Sequence, residues 1–376
     1  MSKRIISLLI STIMLTTLLL GGCKSKASTD LATNSNSTSS SKGFTIIDTL
    51  GRNMTFESTA KRVVAIGPGA LRLYCYVGSI DNLVGIEQIE KKEPKGRPYA
   101  IANPSLKELE VIGPGGPNNG PDPEKLLSVK PDVIFTMYSY DKATVDALQS
   151  KTGIPVVALS YGKIRTFDPS IYESIEIIGK VIGEEKRASE VINYIKKCKN
   201  DLDNRTKDIL DSDKPSTYVG AISYKGAHGI ESTFSNYSLF NSVNAKNVVD
   251  ETGETGHIMI DKEKLIEWNP DKIFIDLGGL QLVKEDYNKN PEFYNILAAF
   301  KNGEVYSQLP FNFYNTNIDT SIADAYFIGK VLYPDKFDDI DPETKADEIY
   351  KFLLGKEVYS QMANDFGGFS KISIKD

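Results

Sequence analysis

Two parts of the chain share one pattern: Asp122-Pro-Glu-Lys-Leu-Leu-Ser-Val-Lys-Pro-Asp-Val-Ile-Phe135 and Asp261-Lys-Glu-Lys-Leu-Ile-Glu-Trp-Asn-Pro-Asp-Lys-Ile-Phe274. Eight of the fourteen positions are identical, and the second copy begins 139 residues (261 − 122) after the first. Each copy has an acidic start, a short amphipathic helix, a break at Pro-Asp and a strand of β-branched and aromatic residues. One recurrence at this distance is too long-period for a solenoid. It predicts two lobes of similar design with a cleft between them, although the same pattern also arises by chance in α/β proteins.

Apolar strands alternate with helical segments throughout the chain. Helical patterns occupy residues 71–77 and 141–150 of the first half, and Gly67-Pro-Gly69 separates the first strand from the first helix. The predicted strands are residues 62–66, 133–135, 155–159, 217–222, 272–276 and 304–307. Strands that alternate with helices favour a mainly parallel sheet with both faces covered. The sequence therefore predicts an α/β protein.

The longest helical pattern lies between the two halves. From Glu184 onward the apolar positions keep to one face at a spacing of 3.6 residues; they are Ala188, Val191, Ile192, Ile195, Cys198 and Leu202. A helix that continues to Leu210 has about 27 residues and is about 40 Å long. Neither Gly nor Pro interrupts it, so we expect a stiff connector that permits only a small motion between the lobes.

The start of the chain has the pattern of a bacterial lipoprotein signal. Lys3 and Arg4 precede an apolar stretch over residues 5–20, which is too short for a comfortable transmembrane helix. Leu20-Gly-Gly-Cys23 resembles a lipobox, in which Cys23 receives a diacylglyceryl group. The resemblance implies a mature protein on the extracytoplasmic face of the cell membrane, anchored by lipid on Cys23.

The sequence therefore divides into five parts. They are a signal peptide (1–23), a flexible Ser-, Thr- and Asn-rich tether (24–43), an N-terminal lobe (44–168), connecting helices (169–212) and a C-terminal lobe (213–376). Without Lys3 and Arg4 the chain has 42 basic and 50 acidic residues, a net charge of −8, which argues against nucleic acid as a partner. Beyond Cys23 only Cys75 and Cys198 remain, so we expect two buried thiols and no disulfide framework.

Six short motifs support a family assignment. They are Arg62-Val-Val-Ala-Ile, Pro-Glu-Lys-Leu-Leu-x-x-Lys-Pro-Asp-Val-Ile, Gly153-Ile-Pro-Val-Val, Asn247-Val, Glu263-Lys-Leu-Ile-x-x-x-Pro-Asp and Gly303-Glu-Val-Tyr. In this order, behind a lipobox and around a long central helix, residues 44–376 resemble the class III substrate-binding proteins of ABC importers. That group serves ferric siderophores, haem, cobalamin and related metal compounds.

The resemblance implies an architecture and a partner. It implies two Rossmann-like lobes with mainly parallel sheets, joined by one long α-helix, around a shallow cleft. It also implies docking onto an ABC-importer permease through one exposed acidic residue on each lobe, and we expect a monomer. The matching positions are Glu124 and Glu263, the third residue of each repeat. A glutamate at a helix start is also favoured by the macrodipole alone.

The loops that follow the strands are the expected ligand-binding region, because ligands of open α/β sheets lie beyond the carboxyl ends of the strands. The predicted ligand-binding residues are Pro68, Gly69, Arg72, Gly115, Gly116, Tyr138, Tyr224, Lys225, His228, Phe313 and Tyr314. Arg72 and Lys225 are suited to pairing with an anion, and the tyrosines offer flat faces with a hydroxyl tip. The chain has two histidines, and His228 is the better ligand candidate of His228 and His257.

An iron complex of the siderophore type is the favoured ligand, because the family resemblance centres there and because Tyr, Arg and Lys suit an anionic aromatic chelate, although the rim has less arginine than a tri-anionic siderophore prefers. Molybdate, tungstate and cobalamin are alternatives: an oxyanion needs a small pocket closed by N–H donors, whereas a chelate or cobalamin needs an open aromatic trough. No second His or Cys lies at ligand spacing from His228, so we expect neither a direct zinc or manganese site nor a cofactor.

Two other functional classes are less well supported. The chain has no G-x-S-x-G, no H-E-x-x-H and no P-loop, so an enzyme is not expected. A surface adhesin without a small ligand remains a distant alternative, which a lack of any ligand-induced thermal shift would indicate.

Overall fold

The computed structural model describes residues 43–116, 119–139, 141–163 and 165–375. The predicted signal peptide, Cys23 and all but the last residue of the predicted tether lie outside the described residues. The described residues from Gly43 onward belong to one compact unit. No helix within the described ranges is both long and apolar enough to cross a membrane.

The structure alternates strands and helices, as the sequence predicts. The strands are β1 (Phe44–Ile47), β2 (Asn53–Phe56), β3 (Val63–Ile66), β4 (Leu83–Gly85), β5 (Val133–Thr136), β6 (Val156–Ala158), β7 (Ser216–Gly220), β8 (Ser232–Ser235), β9 (Lys246–Asn247), β10 (Gly256–Met259), β11 (Lys272–Asp276) and β12 (Val305–Gln308). The helices are α1 (Ala70–Val77), α2 (Pro98–Ala102), α3 (Pro123–Ser128), α4 (Lys142–Thr152), α5 (Pro169–Ile182), α6 (Glu185–Thr206), α7 (Ser238–Ser242), α8 (Lys262–Trp268), α9 (Leu280–Lys289), α10 (Pro291–Ile296), α11 (Ala298–Lys301), α12 (Ile318–Leu332), α13 (Pro342–Leu354) and α14 (Tyr359–Phe366). Short 3₁₀ helices are Ile80–Asn82, Gln88–Lys91, Pro104–Glu108, Asp211–Asp213, Val248–Thr252 and Pro334–Lys336.

Two four-stranded parallel sheets have the same topology. The first has the order β4-β3-β5-β6, and the second has the order β9-β7-β11-β12. Numbered within each lobe, both sheets therefore have the strand order 2-1-3-4. The repeated stretch forms α3 and β5 in one lobe and α8 and β11 in the other, so both copies supply the third strand. The predicted α/β fold with two lobes of similar design is confirmed. Two antiparallel pairs, β1 with β2 and β8 with β10, were not predicted.

The connector is shorter than the sequence suggests. Helix α6 has 22 residues and ends at Thr206 instead of Leu210, so its length is about 33 Å at 1.5 Å per residue. The Thr206 hydroxyl donates to the carbonyl of Leu202 and accepts from the Asn244 side chain, a residue far along the sequence. Leu210 is 67% exposed. A further helical turn would therefore not be stabilised by burial of this apolar side chain.

One continuous apolar core joins the two lobes. It extends from Val63 and Phe135 in the first sheet, past Val191 of α6, to Val219 and Phe274 in the second sheet. Strands β3 and β5 are buried at every position, as expected when helices cover both faces of a parallel sheet. Among the described residues the two cysteines, Cys75 and Cys198, are free thiols, so the lobes are held by packing and not by a disulfide.

Candidate functional site

The candidate site lies where the strand order reverses in each sheet. This switch point falls between β3 and β5 in one lobe and between β7 and β11 in the other, and ligands of doubly wound sheets bind at such points. Close approach of the loops there requires glycine. A Cβ atom on Gly279 would lie 2.4 Å from the carbonyl oxygen of His228, and a Cβ on Gly67 would lie 2.8 Å from the backbone nitrogen of Tyr138.

A group of aromatic and basic side chains, the basic cluster, lies where loops of the two lobes meet. It consists of Arg165, Tyr224, His228, Phe234 and His257. The Tyr224 ring stacks on the His257 ring with centroids 4.2 Å apart, and the His228 centroid lies 5.9 Å from that of His257. Arg165, from the N-terminal lobe, places its guanidinium carbon 5.9 Å from the Tyr224 ring centre and 5.7 Å from that of Phe234. His257 therefore packs against the rings of Tyr224 and Phe234, which also lie beside Arg165, and against the ring of His228.

Hydrogen bonds define the tautomers of the two histidines. The Nε2 atom of His228 lies 2.8 Å from the carbonyl oxygen of Tyr224, which only accepts, so this nitrogen carries the hydrogen. The Nε2 atom of His257 lies 2.8 Å from the Ser232 hydroxyl, whose own hydrogen is donated to Ile222. It too must therefore donate. Burial, followed by the neighbouring His228 and Arg165, lowers the pKa of His257, so its ring is neutral at pH 7.

A second group, the acidic cluster, consists of Glu87, Tyr138 and Tyr314. The hydroxyls of both tyrosines donate to the carboxylate of Glu87, with 2.9 Å between the Tyr314 oxygen and Oε2. The backbone N–H of Gly67 donates to the same Oε2 atom at 3.0 Å, and Gly116 N–H donates to the Tyr314 hydroxyl at 3.0 Å. Burial raises the pKa of Glu87, although these donors oppose the shift. Tyr314 comes from the other lobe, so the cluster joins the two lobes.

Arg72 differs from its predicted role. It is fully buried, and its guanidinium donates to the carbonyls of Phe313 at 2.7 Å and Thr316 at 3.0 Å, with the carbonyl of Tyr314 at 3.4 Å. A further bond at 3.3 Å reaches the hydroxyl of Tyr161. Arg72 therefore links helix α1 of one lobe to a loop of the other, and the expectation that it pairs with an anion on the rim is corrected. The direction of its side chain depends on a loop about 240 residues away.

Several other predicted residues contribute through their backbone and not through a side chain. The carbonyl of Pro68 accepts from Asn315 at 3.0 Å, again across the lobes. Glycine is required at position 69, where a Cβ would lie 2.5 Å from the Tyr161 ring, and at Gly115, where it would lie 2.6 Å from Ile89.

The remaining predicted positions are exposed. Lys225 is exposed beside the basic cluster, and the Phe313 ring is 39% exposed. Glu124 and Glu263 lie on the surface in the first turns of α3 and α8, and neither forms an ion pair with any described residue. The lipidation site, Cys23, is outside the described ranges.

Two residues of the cleft were missed from the sequence. Glu87 follows β4, a three-residue strand that the apolar pattern does not reveal, and Arg165 lies in a loop with no repeated motif. The available signal for Glu87 was an acidic residue two positions after Leu83-Val-Gly85. Within the described ranges no group of three or more His, Cys, Asp and Glu side chains gathers as a metal site.

Comparison with known proteins identifies a family. A model of the family described as periplasmic binding protein matches residues 63–309. The uncharacterized ABC transporter substrate-binding lipoprotein YvrC of Bacillus subtilis is 24% identical over 294 residues, which cover 78% of this chain and 86% of YvrC. The molybdate-binding protein MolA of Haemophilus influenzae is 24% identical over 332 residues, 81% of this chain and 89% of MolA. A periplasmic solute binding protein from Veillonella parvula shares the fold, with a TM-score of 0.68 and 19% identity over 86% of this chain and 96% of that one. The resemblance derived from the motifs is thereby confirmed.

Proposed function

Because the chain belongs to the periplasmic binding protein family and is a solute-binding protein of an ABC importer, we propose that its solute is an anionic iron complex of the siderophore type. We also propose that lipid on Cys23 holds the protein on the extracytoplasmic face of the membrane. The Cys23→Ser variant is then released from the membrane fraction. Undiminished membrane retention of that variant would contradict the anchor.

The basic cluster is the observation that carries the proposal. A solute with negative charge finds the Arg165 guanidinium there, and a solute with aromatic groups finds the rings of Tyr224 and Phe234. Exposed Lys225 adds a second positive charge at the edge of the cluster. An anionic chelate that carries aromatic rings matches both properties of this cluster.

A metal oxyanion such as molybdate is the second candidate. The similarity to a molybdate-binding protein supports it, as do the Arg165 guanidinium and the two neighbouring histidines of the basic cluster. The aromatic rings of Tyr224 and Phe234 argue against it, because a small oxyanion needs a pocket closed by N–H donors and gains little from flat aromatic faces.

A thermal-shift screen of residues 44–376 tests these candidates. The screen contains ferric siderophores, haem, cobalamin, molybdate and tungstate. A ligand at 100 times its dissociation constant stabilises a protein by about 2.7 kcal/mol, which gives a readily measured shift. We expect ferric siderophores to stabilise the protein. If only the oxyanions stabilise the protein, the solute is an oxyanion and not an iron complex. If no compound shifts the melting temperature, both candidate solutes are wrong.

The contribution of Arg165 is tested by substitution. We expect Arg165→Gln to weaken binding of an anionic ligand by roughly tenfold or more, because a charge-assisted contact contributes about 1.5–3 kcal/mol. Lys163→Gln removes the same charge from an exposed side chain two positions away and is the matched control. Equal loss of affinity in both variants would show that only net charge matters.

A further inference from the structure

We propose that Asn312 is a positioning residue for solute binding, because its side-chain amide holds the Arg165 guanidinium beside the aromatic rings of the basic cluster. The inference rests on the proposed function, since it concerns the residue that orients the positive charge offered to an anionic solute. Asn312 follows β12 in the C-terminal lobe and is half-buried, whereas Arg165 belongs to the N-terminal lobe. The contact between the two side chains therefore also joins the lobes.

Each end of the Asn312 amide has a partner that fits only that end. The Oδ1 atom accepts from Nη1 of Arg165 at 3.2 Å, and Nδ2 donates to the carbonyl oxygen of Ser223 at 2.6 Å. A guanidinium only donates and a carbonyl only accepts, so the amide cannot be turned over without losing both bonds. Ser223 is itself held, because its N–H donates to the buried carboxylate of Asp276 at 3.3 Å. The amide oxygen is therefore kept directed at Arg165.

The loop that contains Asn312 is closed on itself. Asn312 pairs with Thr316 in an antiparallel bridge, and the N–H of Asn317 donates to the carbonyl of Phe311 at 2.7 Å. From the other lobe, Arg72 donates to the carbonyl of Thr316 at 3.0 Å. A side chain orients its partner most precisely when its own backbone is held by such contacts. The loop therefore gives Asn312 a fixed base.

Arg165 benefits from this support because a long side chain loses rotamer freedom when it is ordered. Its guanidinium carbon lies 5.9 Å from the ring centre of Tyr224 and 5.7 Å from that of Phe234. Ordering that is complete before the solute arrives does not reduce the affinity. The amide is also neutral, so this contact orients the guanidinium without adding a negative charge. A carboxylate in its place would attract Arg165 but repel an anionic solute.

The order of the Arg165 side chain tests the inference without any ligand. The Nε–H resonance of Arg165 is identified by its loss in Arg165→Gln, and its heteronuclear NOE reports motion on the ps–ns timescale. We expect a high NOE in the parent protein and a marked drop in Asn312→Leu, whose side chain accepts no hydrogen bond. Thermal denaturation shows that the variant is folded. An equally high NOE in folded Asn312→Leu overturns the role of Asn312.

Asn103 provides the matched control for this measurement. It is also half-buried, and its amide donates to the carbonyl of Tyr99 at 2.8 Å, outside the basic cluster. We expect Asn103→Leu to leave the NOE of Arg165 unchanged. A drop of the same size in Asn103→Leu would show that any loss of a half-buried amide disorders Arg165, which also overturns the inference.

A double-mutant cycle measures the effect on binding, with a ferric tris-catecholate complex as the anionic probe. We expect Asn312→Leu to weaken binding by about threefold to tenfold, the factor that one hydrogen bond contributes. In the Arg165→Gln background the same substitution changes the affinity by less than about twofold, because Asn312 acts through Arg165. Fully additive losses would contradict that coupling. Asn312→Asp keeps Arg165 ordered but also weakens binding of the probe, and unchanged affinity in this variant would show that a neutral amide is not required.

The outcomes separate the positioning role from the proposed function. If the probe does not bind while Arg165 loses order in Asn312→Leu, the iron complex is wrong and the positioning role stands. If the probe binds and Arg165→Gln weakens it, but Asn312→Leu changes neither the NOE nor the affinity, the proposed function stands and the role of Asn312 is wrong.

Discussion

At the scale of single residues, Arg72 joins the lobes through backbone carbonyls. Its guanidinium is buried and has three carbonyl oxygens and one hydroxyl as neighbours. The Arg72→Met variant leaves these buried carbonyls unpaired, so we expect it to lower the free energy of unfolding by about 3 kcal/mol. Urea denaturation measures the loss. Arg62→Met is the control: Arg62 also binds two carbonyls, but it is exposed, and we expect a loss below about 1 kcal/mol. Equal losses would contradict the role of Arg72.

Asp276 makes the stability depend on pH. It ends β11, is fully buried, and burial raises its pKa to about 7, although two backbone N–H groups oppose the shift. The unfolded chain releases this proton near pH 4, so between about pH 4 and 7 the folded state binds more protons. The free energy of unfolding therefore falls as pH rises through this window, by at most about 1.4 kcal/mol per pH unit for one proton.

Substitution of Asp276 isolates its share of that dependence. In Asp276→Asn the amide oxygen still accepts from the backbone, but no proton is exchanged. We expect urea denaturation at several pH values between 4 and 7 to show a flatter profile for this variant. Asp335→Asn, at an exposed position, leaves the profile unchanged. An unaltered slope in Asp276→Asn would contradict the assignment.

At the scale of elements, α3 and α8 present equivalent surfaces. Both come from the repeated stretch, and both expose a glutamate in the first turn. If Glu124 and Glu263 dock onto arginines of the permease, the double variant Glu124→Lys and Glu263→Lys abolishes uptake of the solute while its dissociation constant stays the same. Each reversal also costs about 0.3–1 kcal/mol at the helix start, too little to unfold the protein.

A matched helix start provides the control for the docking prediction. Glu185 is an exposed glutamate in the first turn of α6 and lies outside the repeat. We expect Glu185→Lys to transport at the normal rate. Normal transport by the double variant in cells would rule out docking through these two glutamates.

At the scale of the whole molecule, the lobes are coupled at three levels. The apolar core is continuous between them, α6 connects them, and Arg72 and Tyr314 bond across the cleft. We therefore expect small-angle scattering to give nearly the same radius of gyration with and without ligand. A clear contraction on ligand binding, as in binding proteins with loop hinges, would show that these contacts open.

The sequence by itself determined the two-lobed α/β architecture, because strand and helix periodicity, the repeat and the Pro-Asp breaks are local signals. It also located the loops that contain Tyr138, Tyr224 and His228. Only the tertiary structure decided which side chains meet. Arg72 turns inward to a loop about 240 residues away, Glu87 pairs with tyrosines of both lobes, and α6 ends at Thr206 beside Asn244. Local patterns carry no information about such contacts, because the partner of a buried polar group is set by chain segments that only folding brings together.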